Sequence, residues 1–260
     1  MIRRLLASER ARLARGLRHV NVQAAVVLCV AALMVIVHSK YGSRRLFNEL
    51  FGSTVPADAR ALLSWGWWFV SQGLLGFVLP VAILVGVFKR RPGEIGLGLG
   101  DWRFALTLAV AYLPLVIAGT WILSDQASFQ GMYPHLRIAA TSWKVFVAWE
   151  LMFIFYWLGW EYLWRGFVLF GTAPAFGVNA VFVQAMPFAI LHLNKPMPEA
   201  LLSIVGGVAL GALVWRCRSF WIAVPIHAVQ MLALDFWCTM RARTGAAGVG
   251  VEALRQMFGG

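Results

Sequence analysis

Residues 159–170 read GWEYLWRGFVLF. The stretch is apolar enough to sit in lipid, yet Glu161 and Arg165 stand at its middle, one helical turn apart. The sequence before it, WKVFVAWELMFIFYWL (143–158), is just as apolar and just as aromatic. Together they exceed the roughly 20 residues that a helix needs to cross a bilayer. An amphipathic helix of a soluble protein would show polar residues on one face every third or fourth position, and here none recur.

Working outward, the same pattern repeats. Apolar runs cover 20–37, 61–88 (interrupted by Pro80), 104–123, 143–170, 178–193, 200–215 and 219–240. Short turn-rich or basic connectors separate them, including "GTAPAFG" (171–177), "NKPMPE" (194–199) and "RCR" (216–218). The expected fold is therefore all-α, a polytopic transmembrane helical bundle of about seven spans. With 60% hydrophobic and only 13% charged residues over 260 positions, no stretch remains from which a separate soluble domain could form. The organisation expected is a basic membrane-surface segment (1–19), N-terminal transmembrane helices (20–142), a second group of helices carrying the charged pair (143–240), and a short Gly- and Ala-rich tail (241–260).

The net charge of +12 comes from Arg and Lys at the ends of apolar runs, where anionic headgroups lie, and not from aromatic-interleaved patches. Membrane lipids are the partners this distribution fits, and nucleic acid is not. "MIRRLLASERARLARGLRH" (1–19) places Leu and Ala at helical spacing among arginines, as in a helix lying on the membrane surface. The run after it follows too long a basic region, and lacks the small-residue cleavage site, to be a signal peptide, so it is expected to be an uncleaved first span. Basic residues at 3–18, 89–103 and 216–218 would share one face, which the positive-inside rule makes cytoplasmic. "KRRPGEIGLGLGDWR" (89–103) does not lead its glycines into a helix as a phosphate loop requires. Cys29, Cys217 and Cys238 form no metal-like spacing and read as packing residues.

An unpaired charge at a helix centre costs about 2.5–3.5 kcal/mol on insertion scales, so charges there need partners or water. The i, i+4 spacing lets Glu161 and Arg165 neutralise each other. His192, in PFAILHLNKP, and His227, in VPIHAVQM, are the histidines embedded in the apolar segments of the second half. At 1.5 Å of rise per residue, Glu161 and His192 lie roughly 15 and 20 Å from the 171–177 turn, and His227 roughly 13 Å from the 216–218 connector. All three are expected near mid-membrane, forming either a water-activating site or a His2Glu zinc site. Glu150, three turns before Glu161, is expected at an interface. Asp235, eight residues after His227, would view the same cavity from another level. Gly206, Gly207 and Gly211 form a small-residue face suited to close helix packing.

WEYLWRGFVLF, PFAILHLNKP, GGVALGALVWRCRSFWIAVPIHA and RRPGEIGLGLGDWR, in this order, resemble the CPBP family, the CAAX-processing and bacteriocin-processing intramembrane proteases. The resemblance covers roughly residues 85–240. The family pattern is Glu-Glu-x-x-x-Arg, Phe-x-x-x-His and His-x-x-x-Asn on three helices. Here Glu161 and Arg165, Phe188 and His192, and His227 match it, while Trp160 stands at the first Glu and Met231 at the Asn. The resemblance implies a glutamic-type protease, once classed as a metalloprotease, in which Glu and His activate water and the last His and Asn stabilise the oxyanion. It makes Glu161, Arg165, His192 and His227 the expected catalytic residues, with no cofactor, and zinc on Glu161, His192 and His227 as the alternative. Asp235 would supply polarity that Met231 lacks, and Lys195 and Glu199 would form the cavity mouth. The expected function is an intramembrane endopeptidase acting on a membrane-embedded or lipid-anchored protein or peptide, at a C-terminal sorting or CAAX-like signal. The alternatives are a non-catalytic immunity or scaffold protein of the same fold, and a metal-dependent membrane enzyme or transporter. A bacterial inner membrane, with the N-terminus cytoplasmic, is the expected location.

Overall fold

The computed structural model describes residues 2–259, apart from the side chains of residues 4, 7 and 8. Residues 1 and 260, the outermost of the expected N-terminal segment and tail, lie outside that range. The described residues are helical and contain no strand. We label the helices α1 (Ile2–Leu17), α2 (Val22–Tyr41), α3 (Arg44–Phe51), α4 (Ala57–Val87), α5 (Trp102–Leu123), α6 (143–176), α7 (Ala180–Ile190), α8 (Met197–Cys217), α9 (Ala223–Thr244) and α10 (Val251–Phe258).

The helix starts are written in the chain. Asn21, Ser43, Asp101 and Ser142 each accept a first-turn backbone N–H, satisfying donors that have no partner within the helix. Pro56 and Pro196 precede α4 and α8. Gly245, at φ 70°, ends α9 in a conformation that costs glycine nothing.

Six helical segments among the described residues are long and apolar enough to cross a membrane, so the chain is an integral membrane protein. The expected count was about seven. The difference lies in the 48-residue segment Trp143–Ile190, which joins α6 and α7. As one straight rod it would be about 72 Å long, far more than the roughly 30 Å of a bilayer core. Gly177, at φ 54°, breaks it, and α7 folds back on α6 and then pairs with α8. Gln184 of α7 donates to the Gly207 carbonyl of α8, and a Cβ on Gly211 would collide with the Gln184 amide, so the small-residue face does set this close approach.

α4 packs on α6, with Gly159 against the Gln72 carbonyl, and α9 packs on α5. Beside a small cluster around Met240, Ala246 and Met257, the core divides into two large ones. One gathers α2, the end of α6 and α7 around Leu163, Phe167 and Phe170; the other gathers α4, α6 and α9 around Phe69, Trp149 and Phe153. Trp160 packs against both, so the residues beside it lie at the seam. The tail is more structured than its composition suggests. Arg241 holds it by donating to the Ala246 and Gly248 carbonyls and to Asp125, and α10 buries Ala253 and Met257.

Bonds between segments place the basic connectors together. Phe220 N–H donates to the Gly96 carbonyl, Asp101 N–H to Cys217, and Arg90 Nε to Gln23 beside the start of α2. The connector after α1, the 89–103 loop and the 216–218 connector thus share one end of the bundle. The loops 124–142 and 191–196 share the other.

Candidate active site

Glu161 is the last residue of α6 before a π-helical stretch, Tyr162–Val168, in which the backbone bonds widen to i→i+5. Such insertions are frequent at functional sites. Glu161 and Arg165 are wholly buried, and Arg165 Nη1 donates to Glu161 Oε1 at 3.1 Å. That oxygen also accepts from His227 Nδ1 at 2.6 Å, because a carboxylate there can only accept. The remaining hydrogen-bonding atoms of the pair, Glu161 Oε2 and Arg165 Nε and Nη2, have no partner among the described protein atoms. The guanidinium instead lies 4.0 Å from the Phe188 ring centroid, a desolvated cation–π contact.

Phe188 links the pair to the second histidine. Its ring centroid is 4.6 Å from that of His192, and its carbonyl accepts from His192 Nδ1 at 2.7 Å. Both imidazoles are therefore fixed through Nδ1, leaving Nε2 as the free nitrogen on each. Trp157 stacks on His227 with centroids 4.1 Å apart and planes at 27°.

His192 and His227 line a cavity of about 310 Å³, room for roughly ten waters at about 30 Å³ each. Its walls are aromatic, with Trp65, Phe153, Tyr156 and Trp160 among them, and Met231 is on the wall as well. Glu161 sits behind His227, with no exposed surface of its own. Lys195 and Glu199 lie where the cavity meets the 191–196 loop. Lys195 Nζ donates to Tyr133 Oη at 2.7 Å and approaches His135 Nε2 at 3.1 Å, while Tyr133 donates to Glu199 at 2.7 Å. Burial pushes His192 down to about 4, helped by His227, Lys195 and Arg165 against the opposing Phe188 bond. His135 is pushed down to about 3, chiefly by burial and then by Lys195. Burial also lowers Lys195 despite Glu199.

The structure thus brings Glu161, Arg165, His192 and His227 together, with Lys195 and Glu199 at the mouth. It does not bring Asp235 or Glu150 to the cavity. Asp235 is wholly buried and accepts from Trp149 Nε1 at 3.3 Å, with Glu150 against it. Glu150 faces that interior contact rather than an interface, because its carboxyl is hydrogen-bonded to Asp235. Sequence reasoning missed Trp157, Tyr133 and His135. His135 was legible only as a histidine in a loop, outside the apolar segments.

The zinc alternative does not fit the donors. Glu161 Oε1 already holds Arg165 and His227, and among the described residues no group of three or more His, Cys, Asp or Glu side chains is disposed to hold a metal.

The family model described as type II CAAX prenyl endopeptidase Rce1-like matches residues 142–233. This segment is an Rce1-like domain of the CPBP family. It holds Glu161, Arg165, Phe188, His192, His227 and both departures, Trp160 and Met231, whereas Asp235 falls beyond its end. No curated protein and no solved structure matches the chain. Membership suggests an intramembrane protease. In this Rce1-like domain the position that carries a carboxylate in the family pattern is an indole on the cavity wall, and His192 and His227 face the cavity beside that indole, with Lys195 and Glu199 at the mouth.

Proposed function

We propose that the protein is an intramembrane endopeptidase in which two imidazoles, His192 and His227, hold and activate the hydrolytic water. The observation that carries this reading is their common geometry: each is tied back through Nδ1 and each lines the cavity. A water between two Nε2 acceptors donates both hydrogens to them and presents its oxygen lone pairs to a peptide carbonyl. His227 takes the proton as the oxygen bonds to the carbonyl carbon. Glu161 then faces the imidazolium at Nδ1, the arrangement by which a carboxylate orients and supports a catalytic imidazole. Collapse of the tetrahedral intermediate breaks the C–N bond, and His227 returns the proton to the leaving amine. Trp160 Nε1, buried and without a partner among the described residues, supplies a donor for the oxyanion. Arg165 holds Glu161 in place.

The substrate is a membrane-embedded or lipid-anchored protein or peptide, cut at a C-terminal sorting or CAAX-like signal. The aromatic cavity and the family match support this class. The membrane is a bacterial inner membrane with the N-terminus cytoplasmic, a reading supported by the basic connectors gathered at one end. The cavity mouth then opens at the opposite end.

The test is to express the wild type, His192→Gln and His227→Gln in a host lacking the gene and compare protein termini in the membrane fraction by mass spectrometry. A terminus that the wild type makes, absent from both variants at equal accumulation, is the expected result. Identical termini in all three would overturn the reading. They would favour the second one, a peptide-binding protein without chemistry, for which the apolar Trp160 and Met231 on the cavity wall speak.

A further inference from the structure

A second groove lies at the basic end of the bundle, remote from the histidines. It has a volume of about 550 Å³ and runs between the start of α2 and the end of α6. His19 and Asn21 stand at its rim; Ala25, Leu28, Pro174 and Phe176 form its apolar wall. Its polarity is therefore graded, polar at the end of the span and apolar along it. Gln23 braces the floor beside it by donating to the Gly171 carbonyl at 2.7 Å, and it accepts from Arg90 Nε at 2.7 Å. A guanidinium is thus fixed close to the rim.

α1 enters at the same place. Ile2, Leu6, Leu13 and Leu17 share one face of the helix and are 57–71% exposed, with no protein covering them. Arg3 and Arg10 flank that face on one side and Arg12 on the other, Arg15 stands on the face opposite, all four are exposed, and Arg18 and His19 lead into the groove. Glu9 is the one acid in the helix, and Arg12 pairs with it at 3.1 Å. An exposed apolar face edged by arginines, directly before a membrane span, matches the boundary between acyl chains and anionic headgroups.

We infer that α1 and the groove at its root form a binding site for an anionic phospholipid of the surrounding bilayer. The arginines and His19 face the headgroup, and Ala25, Leu28 and Phe176 face an acyl chain. This site stands apart from the proteolytic reading and does not depend on it.

The test uses the purified full chain in detergent, titrated with phosphatidylglycerol or with phosphatidylcholine of the same chains, and counts retained lipid by native mass spectrometry. Each basic residue near an anionic surface contributes about fivefold. The Arg10→Gln, Arg12→Gln, Arg15→Gln triple variant is then expected to weaken phosphatidylglycerol retention about a hundredfold and phosphatidylcholine retention little. Ala25→Phe, which fills the groove, is expected to weaken retention of both lipids. The triple variant changes exposed side chains only, so it keeps the test decisive should Ala25→Phe fail to fold. Equal retention of the two lipids by the wild type, or unchanged phosphatidylglycerol retention by the triple variant, would overturn the inference.

Discussion

Replacing Glu161 with Gln separates the chemical role of the buried charge from its packing role. The amide keeps the shape and leaves an oxygen for His227 Nδ1, but it removes the charge that faces both Arg165 at 3.1 Å and His227 at 2.6 Å. Two losses follow. Arg165, wholly buried, loses its counter-ion, and breaking such a pair from one side costs about 3–5 kcal/mol. The imidazolium formed when His227 takes the proton also loses its support, and the corresponding carboxylate-to-amide change in a Ser-His-Asp triad costs about 10⁴ in rate. Glu161 has no surface in the cavity, so KM should change little and the loss should fall on kcat. The double variant Glu161→Gln, Arg165→Met removes the orphaned cation and should regain most of the stability, since apolar replacement of a buried pair is often neutral or better. It should regain none of the activity. The assay is the rate of product formation in isolated membranes, on the terminus that the wild type generates, beside thermal melting of each purified variant. If Glu161→Gln kept more than about a tenth of the wild-type rate, or if the double variant recovered rate together with stability, the pair would be packing and the dyad argument would fail.

Four further outcomes test neighbouring links. His192, lowered to about 4, sheds its proton above that pH and should be about 97% neutral at pH 5.5, where an ordinary imidazole would be about 9% neutral. Histidine-labelled NMR of the protein in micelles, with the signal assigned by His192→Gln, would refute this by a midpoint near 6.5. Lys195→Met should raise the midpoint while leaving it below 6.5, since burial is the larger cause. Trp160→Phe keeps an aromatic wall but removes the indole N–H, so kcat should fall about a hundredfold with little change in KM; an unchanged kcat would remove Trp160 from the mechanism. Gly159→Val puts a side chain into the Gln72 carbonyl and should cost about 1–3 kcal/mol or more, read as lower yield and melting temperature.

The fold was legible because lipid leaves few choices: apolar length sets spans and polar punctuation ends them. The count differed where two helices meet across Gly177, since "GTAPAFG" continues α6 through Pro174 before it turns. Helical spacing alone paired Glu161 with Arg165, whereas His192, expected at mid-membrane, lies in the 191–196 loop just past the end of α7. What spacing cannot give is rotation about each helix axis. Asp235 lies eight residues from His227, an angle that suggests a shared cavity, yet it turns to Trp149 and Glu150. The tail was not legible for a different reason: its order comes from Arg241 reaching the 246–248 backbone, a tertiary contact with no local signature.

The geometry answers why an apolar segment carries two charges. Paired at i, i+4, capped by an imidazole and laid against the Phe188 ring, Glu161 and Arg165 avoid the insertion cost of lone charges. Packing alone would not require the third partner, because the ion pair already neutralises itself. His227 is the member of the group that reaches the cavity, so the buried carboxylate acts on the cavity only through it. Trp160, standing where the family pattern has a carboxylate, leaves the charged groups of the cavity to Lys195 and Glu199 at its mouth and stacks with Tyr156 at 5.6 Å between centroids. In such a site the imidazole that takes the water's proton must be neutral before substrate enters. His192, lowered by burial to about 4, meets that condition at neutral pH.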